Sequence, residues 1–396
     1  MCELRDVYIV GAARTAIGSF LGSLKGFKAP ELGGFAIRET LKRAQISGSD
    51  VDEVIMGNVV SAGLGQAPAK QASMNGGIPP TVNSFAINKV CGSGLKAVWL
   101  AANSIWLEQN EIVVAGGMES MSQSPHLLWK VREGQKMGDL KLIDSMIYDG
   151  LWCAFDNHHM GITGEIIAEK FGASREEQDQ YAVNSHKKAV NAIEKGYFKD
   201  EIVPVEVPQR RGDPILFEVD EGPRKDAQVE KLAKLRPVFK KDGTVTAGNA
   251  SSLNDGASAL VIASEDAVKE KKLKPLAKIS GMTSNALEPS MVMYAPKGAI
   301  ENLLDNLGWK KEEVDLFEIN EAFSSQLVVL IKEIGLDKEK VNVHGGAVAL
   351  GHPIGATGAR ILTTLIYALK HRGLKKGIAS LCLGGGDAVA MAVEMI

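Results

Sequence analysis

The chain has 396 residues, 45% of them hydrophobic and 23% charged, with a formal net charge of −3. This balance fits a globular protein with a sizeable apolar interior and gives no sign of a polyanion-binding surface. Its four cysteines, Cys2, Cys91, Cys153 and Cys382, lack CxxC spacing, so neither a disulfide framework nor a structural zinc site is expected. No apolar run approaches the roughly 20 residues of a membrane helix, and neither terminus carries a recognisable address, so the cytoplasm is the expected location. Single cores stop growing beyond about 250–300 residues, so at least two domains are expected.

From Val7 to Gly117, short apolar runs (VYIVGA, EVIMGNVV, FAINKV, EIVVAGG) alternate with helical stretches around Leu32 to Ala44 and Gly94 to Leu107, an α/β rhythm. Ser122 to Val245 is more charged, richer in polar turns and interrupted by RRGDP and EGPRKD, which reads as an insertion. Its best helix opens with a capping box, Ser174 with Glu177, and stops at Gly196; the helical content suggests a small lid over a site. Within DNHHMG, His158 and His159 are adjacent and so diverge on a helix or strand, with no third ligand at metal spacing, and no metal is expected. Met160 beside them is either ordinary packing or a flexible wall of an acyl pocket.

TVTAGNASSLNDGASALV (Thr244 to Val261) is a polar loop leading into an apolar strand. It is either a tight joining turn or a surface of small residues along which an extended ligand can lie. In NEAF, Asn320 ends the strand DLFEI at a plausible helix N-cap, and its amide could also hold a water or donate to a developing oxyanion. His352 stands in GGAVALGHPIGATG and Cys382 in SLCLGGGDA, while far upstream Cys91 stands in NKVCGSGLKAV. One histidine and two cysteines thus share glycine-lined backbone, where the chain bends through positive φ or approaches a substrate closely. An isolated intracellular cysteine is usually a small buried hydrophobe, but the shared setting points to a thiol active site.

Two segments look like copies: AIRETLKRAQISGSDVDEVIMGN (Ala36 to Asn58) and AIENLLDNLGWKKEEVDLFEIN (Ala299 to Asn320). Cys91 with its following helix and IVVAGG likewise matches His352 with its following helix and IASLCLGGG. The chain therefore reads as a duplicated α/β unit whose pseudo-twofold brings Cys91 and His352 together, each just before a helix N-terminus. There the helix dipole favours a thiolate and a neighbouring imidazole can take its proton.

Taken together, VGAARTAIGSF, NKVCGSGLKAV, VVAGGMESMS, HHMGIT, TVTAGNASSLNDGA, NEAF, GHPIGATGAR and CLGGGDA resemble the thiolase family from end to end, in the family's order. The resemblance implies the thiolase fold, two βαβαβαββ halves in a five-layered αβαβα core with an inserted loop domain. The expected division is 1–121 for the first part of the N-terminal half, 122–245 for the loop domain, 246–272 for the last strand and helix of that half, and 273–396 for the C-terminal half. It also implies Cys91 as nucleophile, His352 as its activator and Cys382 as acid/base. Oxyanion donors are implied from His352 with an Asn320-held water, and from the N–H groups of Cys91 and Gly384. Leu151, His159, Met160, Ala247, Ser251, Ala322 and Phe323 are implied to line the acyl and pantetheine channel, with Arg224 toward the nucleotide, although its setting PRKDAQ departs from familiar patterns.

The implied activity is that of an acetyl-coenzyme A C-acetyltransferase: reversible condensation of two acetyl-coenzyme A through an acetyl-Cys91 intermediate. Coenzyme A thioesters are then substrates and no bound cofactor is expected. A homodimer or homotetramer is implied, the tetramer using a loop-domain hairpin; Gln123 to Asp139, with a turn at Glu133-Gly134, could be that hairpin or could equally cover its own domain. Trp152 and Cys153, where smaller polar residues are expected, suggest a reshaped acyl pocket. The alternatives are a degradative 3-ketoacyl-coenzyme A thiolase of broader chain length, a non-catalytic acyl carrier and a thiol redox protein.

Overall fold

The computed structural model describes residues 5–396; Cys2 lies outside them. The first half supplies strands β1 (Val7–Thr15), β2 (Glu53–Gly57), β3 (Asn83–Ile87), β4 (Ile112–Ser120) and β5 (Asn254–Ser264). The second supplies β6 (Ala277–Ala286), β7 (Leu316–Ile319), β8 (Lys376–Leu383) and β9 (Asp387–Met395). Within the first half the order is β3-β2-β4-β5-β1, with β2 parallel to both neighbours and the β4–β5 and β5–β1 pairs antiparallel. The second half repeats this as β7-β8-β9-β6, parallel then antiparallel twice, and a parallel bridge from Phe317 to Val341 stands where β3 would be. The two halves join edge to edge where Tyr8 and Ile9 pair with Lys278 and Ala277. The repeated segments Ala36 to Asn58 and Ala299 to Asn320 thus occupy the same place in two copies of one topology.

Helix α1 (Ala29–Ala44) packs on the outer face of β1, β4 and β5, and its buried Leu32, Ala36, Ile37 and Leu41 make one apolar stripe. Two helices fill the layer between the halves: α2 (Ser93–Trp106), directly after Cys91, and, near the C-terminus, a long helix Ile354–Arg372 directly after His352. Both contact strands of both halves. Every residue of the long helix from Ile354 to Leu369 is buried, as a helix covered on all sides requires. Where the two cross, a Cβ on Gly94 would come within 2.7 Å of the Ala359 nitrogen, and one on Gly358 would meet the Leu95 backbone. Glycines in CGSG and GATG therefore serve close helix packing as well as the site.

Between β4 and β5 run α3 (Met160–Phe171) and α4 (Arg175–Glu194), with Ser174 and Glu177 forming the capping box of α4. The same stretch holds three small hairpins: His126–Leu128 with Leu142–Asp144, Trp152–Cys153 with His158–His159, and Val205–Val207 with Ile215–Phe217. The first hairpin closes a longer excursion than Gln123 to Asp139. Its second strand begins only at Leu142, after a short 3₁₀ turn and Gly134 at φ +79°. In the second half, α5 (Ala295–Leu307) and α6 (Ser324–Ile334) cover the outer face, and the Ile354–Arg372 helix is α7. Among the described residues, no helix is long and apolar enough to cross a membrane.

Candidate active site

Cys91 sits one residue ahead of the α2 N-cap, and the turn that presents it is strained at Val90, which has φ +48°. A β-branched residue in that region is costly and persists only where its surroundings impose it. Here Val90 N–H donates to Asn88 Oδ1 at 2.9 Å, and the Ser93 hydroxyl donates to the Val90 carbonyl at 2.6 Å. Gly92, on the other side of Cys91, has φ −81°; it is glycine because a Cβ would strike Leu383. The backbone N–H groups of Cys91 and Gly384 favour the Cys91 thiolate. Cys91 keeps some exposure toward a cavity but is enclosed by protein, and burial pushes its thiol up to about 12 despite those two donors.

Gly351, at φ +107°, turns the chain into His352, whose backbone N–H donates to Asn254 Oδ1 at 2.9 Å. On the ring, Nδ1 lies 2.7 Å from Thr357 Oγ1, and that hydroxyl lies 2.9 Å from the Pro353 carbonyl. One hydroxyl hydrogen can make both contacts hydrogen bonds only if it goes to Pro353 and Nδ1–H donates to Thr357. The proton thus sits on Nδ1, and Nε2 keeps a free lone pair with no protein partner. Burial lowers the imidazole to about 3, so it is neutral at physiological pH and able to accept a proton.

Cys382 lies at the end of β8, buried, with its sulfur 3.8 Å from Met293 Sδ. Burial first, then the neighbouring Cys91, pushes its thiol far above the ordinary range. Asn320 is 1% exposed, and neither atom of its side-chain amide has a protein partner. It is not a helix cap: α6 begins at Ser324 after Phe323, leaving the Asn320 amide uncommitted. Next to it, the Glu321 carboxylate accepts from Tyr181, Ser185, Asn342 and the Val348 N–H, which ties this turn to α4.

Cys91, His352, Cys382 and Gly384 open on one cavity of about 530 Å³, also lined by Leu151, His159, Met160, Arg224, Ala247, Ser251, Ala322 and Phe323. Asn320 is the one expected residue outside this lining. The loop 246–253 is fastened to NEAF by the Ser251 N–H on the Ala322 carbonyl at 3.1 Å and by an Ala250–Phe323 bridge. His159 caps α3, its Nδ1 accepting from the Gly161 N–H at 3.0 Å, and its ring stacks on Phe239 at 4.7 Å. A Cβ on Gly161 would strike that Phe239 ring. The reshaping expected from Trp152 and Cys153 is not found, because neither lines the cavity. Trp152 Nε1 instead donates to Asn157 Oδ1 at 3.0 Å, and Cys153 packs against Asp156.

Sequence reasoning missed several groups. Glu119 accepts from the N–H groups of Val59, Val60 and Gly355 and from the Asn58 amide, pinning the first turn of α7 to the loop after β2; burial raises it to about 7. Its signal was an acid at the end of the otherwise buried strand β4. Asn254 and Thr357 stand inside quoted motifs where nothing marked their own roles, and Phe239 and Met293 carried no local signal.

Two thiols and a neutral imidazole with a free Nε2, facing one largely apolar cavity on a duplicated α/β frame, define a thiol acyltransferase. The chain belongs to the thiolase family: residues 7–266 match the family model "Thiolase, N-terminal domain" and residues 273–395 match "Thiolase, C-terminal domain". It is 52% identical over 388 residues to an acetyl-CoA acetyltransferase of Pseudomonas aeruginosa, covering 98% of this chain and 99% of the relative. It is 51% identical over 391 residues to an acetyl-CoA acetyltransferase of Cupriavidus necator, covering 99% and 100%. The crystal structure of the Bacillus anthracis acetyl-CoA acetyltransferase superposes with a TM-score of 0.97 at 45% identity, covering 99% of each chain.

Proposed function

We propose that this enzyme is an acetyl-coenzyme A C-acetyltransferase that condenses two acetyl-coenzyme A to acetoacetyl-coenzyme A and coenzyme A, reversibly, through an acetyl group carried on Cys91. The observation that carries the reading is the free Nε2 of a neutral His352 opening on the same cavity as Cys91 and Cys382. In the first half-reaction, the Cys91 proton passes to His352 as sulfur attacks the thioester carbonyl. Coenzyme A leaves as its thiolate while His352 keeps the proton, so that an Nε2–H donor now faces the cavity. The exchange of one thioester for another is nearly neutral in energy, which suits a reaction that runs both ways.

In the second half-reaction, Cys382 gives its proton to the departing coenzyme A thiolate and, now a thiolate itself, removes an α-proton from a second acetyl-coenzyme A; the resulting enolate attacks the acetyl carbon on Cys91. The Cys91–carbonyl bond breaks, Cys382 keeps the abstracted proton, and the proton held by His352 returns to the Cys91 sulfur. Each oxyanion needs fixed donors, and loss of one such donor typically costs about 10²- to 10³-fold in rate. We assign the hole over Cys91 to the N–H groups of Cys91 and Gly384, and the enolate hole to His352 with a water held by Asn320. The unpartnered, buried Asn320 amide supports that second assignment.

The segment 122–245 then acts as a loop domain over the acyl end, with Leu151, His159 and Met160 closing the pocket and Ser251 along the pantetheine. The exposed Arg224 stands toward the nucleotide. Exposed Trp129 and Met137 in the long hairpin excursion, 50% and 90% accessible, support a homotetramer built from dimers. The cytoplasm is the compartment this reading takes. The test compares kcat/KM for coenzyme A-dependent cleavage of acetoacetyl-coenzyme A and a long-chain 3-ketoacyl-coenzyme A. Strong preference for the four-carbon substrate is expected, and equal or better use of the long chain would overturn the assignment in favour of a degradative thiolase.

A further inference from the structure

Cys382 poses a problem that the roles above do not solve: a sulfur so deeply buried has to carry a negative charge during the carbon-acid step. Its one sulfur contact, Met293, has no hydrogen to donate. The titratable group acting on it, Cys91, opposes the charge. Gln326 lies in the first turn of α6, one turn before Val329, which packs in the same apolar cluster as Cys382, Met293 and Phe323. Its side chain is 0% exposed, and neither amide atom has a hydrogen-bonding partner of good geometry. A buried primary amide without a partner is rare in a folded protein and points to a state that uses it. Helix α6 thus carries this unpartnered amide alongside the cluster that holds Cys382, and the amide favours the Cys382 thiolate.

We propose that Gln326 is a positioning residue for the carbon-acid step: its Nε2–H₂ group donates to Cys382 Sγ once that sulfur is deprotonated, stabilising the buried thiolate and aiming its lone pair into the cavity. The donor is neutral, so it adds no charge to the acyl site. It acts through Cys382 rather than on substrate. The inference rests on Cys382 being the acid/base.

The test uses full-length enzyme carrying Gln326→Met, which keeps the side chain's length and removes its donor, with Gln326→Leu as a second variant should the first not fold. Three readouts are taken: acyl exchange between acetyl-coenzyme A and labelled coenzyme A, which makes and breaks only acetyl-Cys91; the condensation rate; and the exchange of acetyl-coenzyme A α-protons with deuterated solvent, which needs only the carbon-acid step at Cys382. Acyl exchange is expected within about threefold of wild type, and condensation and α-proton exchange each about 10- to 100-fold slower, matching loss of one donor to an anion. Unchanged α-proton exchange, or equal losses in acyl exchange and condensation, would overturn the role of Gln326. Normal condensation by Cys382→Ala would instead remove the acid/base assignment itself, and the inference with it.

Discussion

Replacing Thr357 by Val tests how the His352 proton is placed. The two side chains have nearly the same shape, but valine cannot accept the Nδ1–H bond now seen at 2.7 Å. The imidazole then loses its reason to carry the proton on Nδ1, and the alternative tautomer puts an N–H on Nε2, where the proposed proton transfer needs a lone pair. A neutral hydrogen bond left unmade in a buried site costs about 1–3 kcal/mol. At about 1.4 kcal/mol per factor of ten, kcat should fall roughly 10- to 100-fold. Thr357 does not line the cavity, so KM should stay within about threefold. Rapid-quench measurement of Cys91 acetylation beside steady-state thiolysis isolates the affected step. Thr357→Ser, which keeps the hydroxyl, should restore most of the rate. Wild-type acetylation by Thr357→Val, or a serine variant as slow as the valine one, would refute the reasoning.

His344 is buried, stacks on Tyr197 at 4.9 Å and is lowered to about 3, chiefly by burial. Its contribution to stability is therefore fully present above about pH 6.5 and lost as pH falls toward 3, because the unfolded chain takes a proton that the folded one refuses. Urea unfolding between pH 6 and pH 4 should show His344→Phe losing stability less steeply than wild type by about 1.4 kcal/mol per pH unit; parallel curves would contradict this. Arg14 is fully buried between Glu201 at 2.6 Å and Asp220 at 2.7 Å, so Asp220→Ala should cost about 3–5 kcal/mol in urea unfolding, and a loss below about 1 kcal/mol would show the pair to be dispensable. Gly161→Ala should push Phe239 off its stack with His159, lowering stability by about 1–3 kcal/mol and raising KM more than it lowers kcat; unchanged melting and KM would contradict the packing seen there.

What could be read from the residues alone follows a physical division. The α/β rhythm and the duplication were legible because helix and strand periods are local and because Ala36 to Asn58 and Ala299 to Asn320 repeat the same order of helix, acidic turn and strand. Cys91, His352 and Cys382 stood out because reactive side chains sit among glycines, even though the structure assigns several of those glycines to packing. Gly94 and Gly358 let α2 and α7 touch, and the strain beside Cys91 falls on Val90. Thr357 and Asn254, which fix the imidazole, were illegible: one is an ordinary helical threonine, and the other acts on a residue 98 positions away. The Asn320 cap was misplaced because a helix can start after several turn residues, here at Ser324, with no change in the composition that announces it.

The central claim is a covalent acetyl group on Cys91. Incubation with labelled acetyl-coenzyme A, acid quench and peptide mass spectrometry should place one acetyl group per chain on the peptide containing Cys91, removed on adding coenzyme A and absent from Cys91→Ala. Label found on Cys382, or wild-type turnover with no label on either cysteine, would contradict the account.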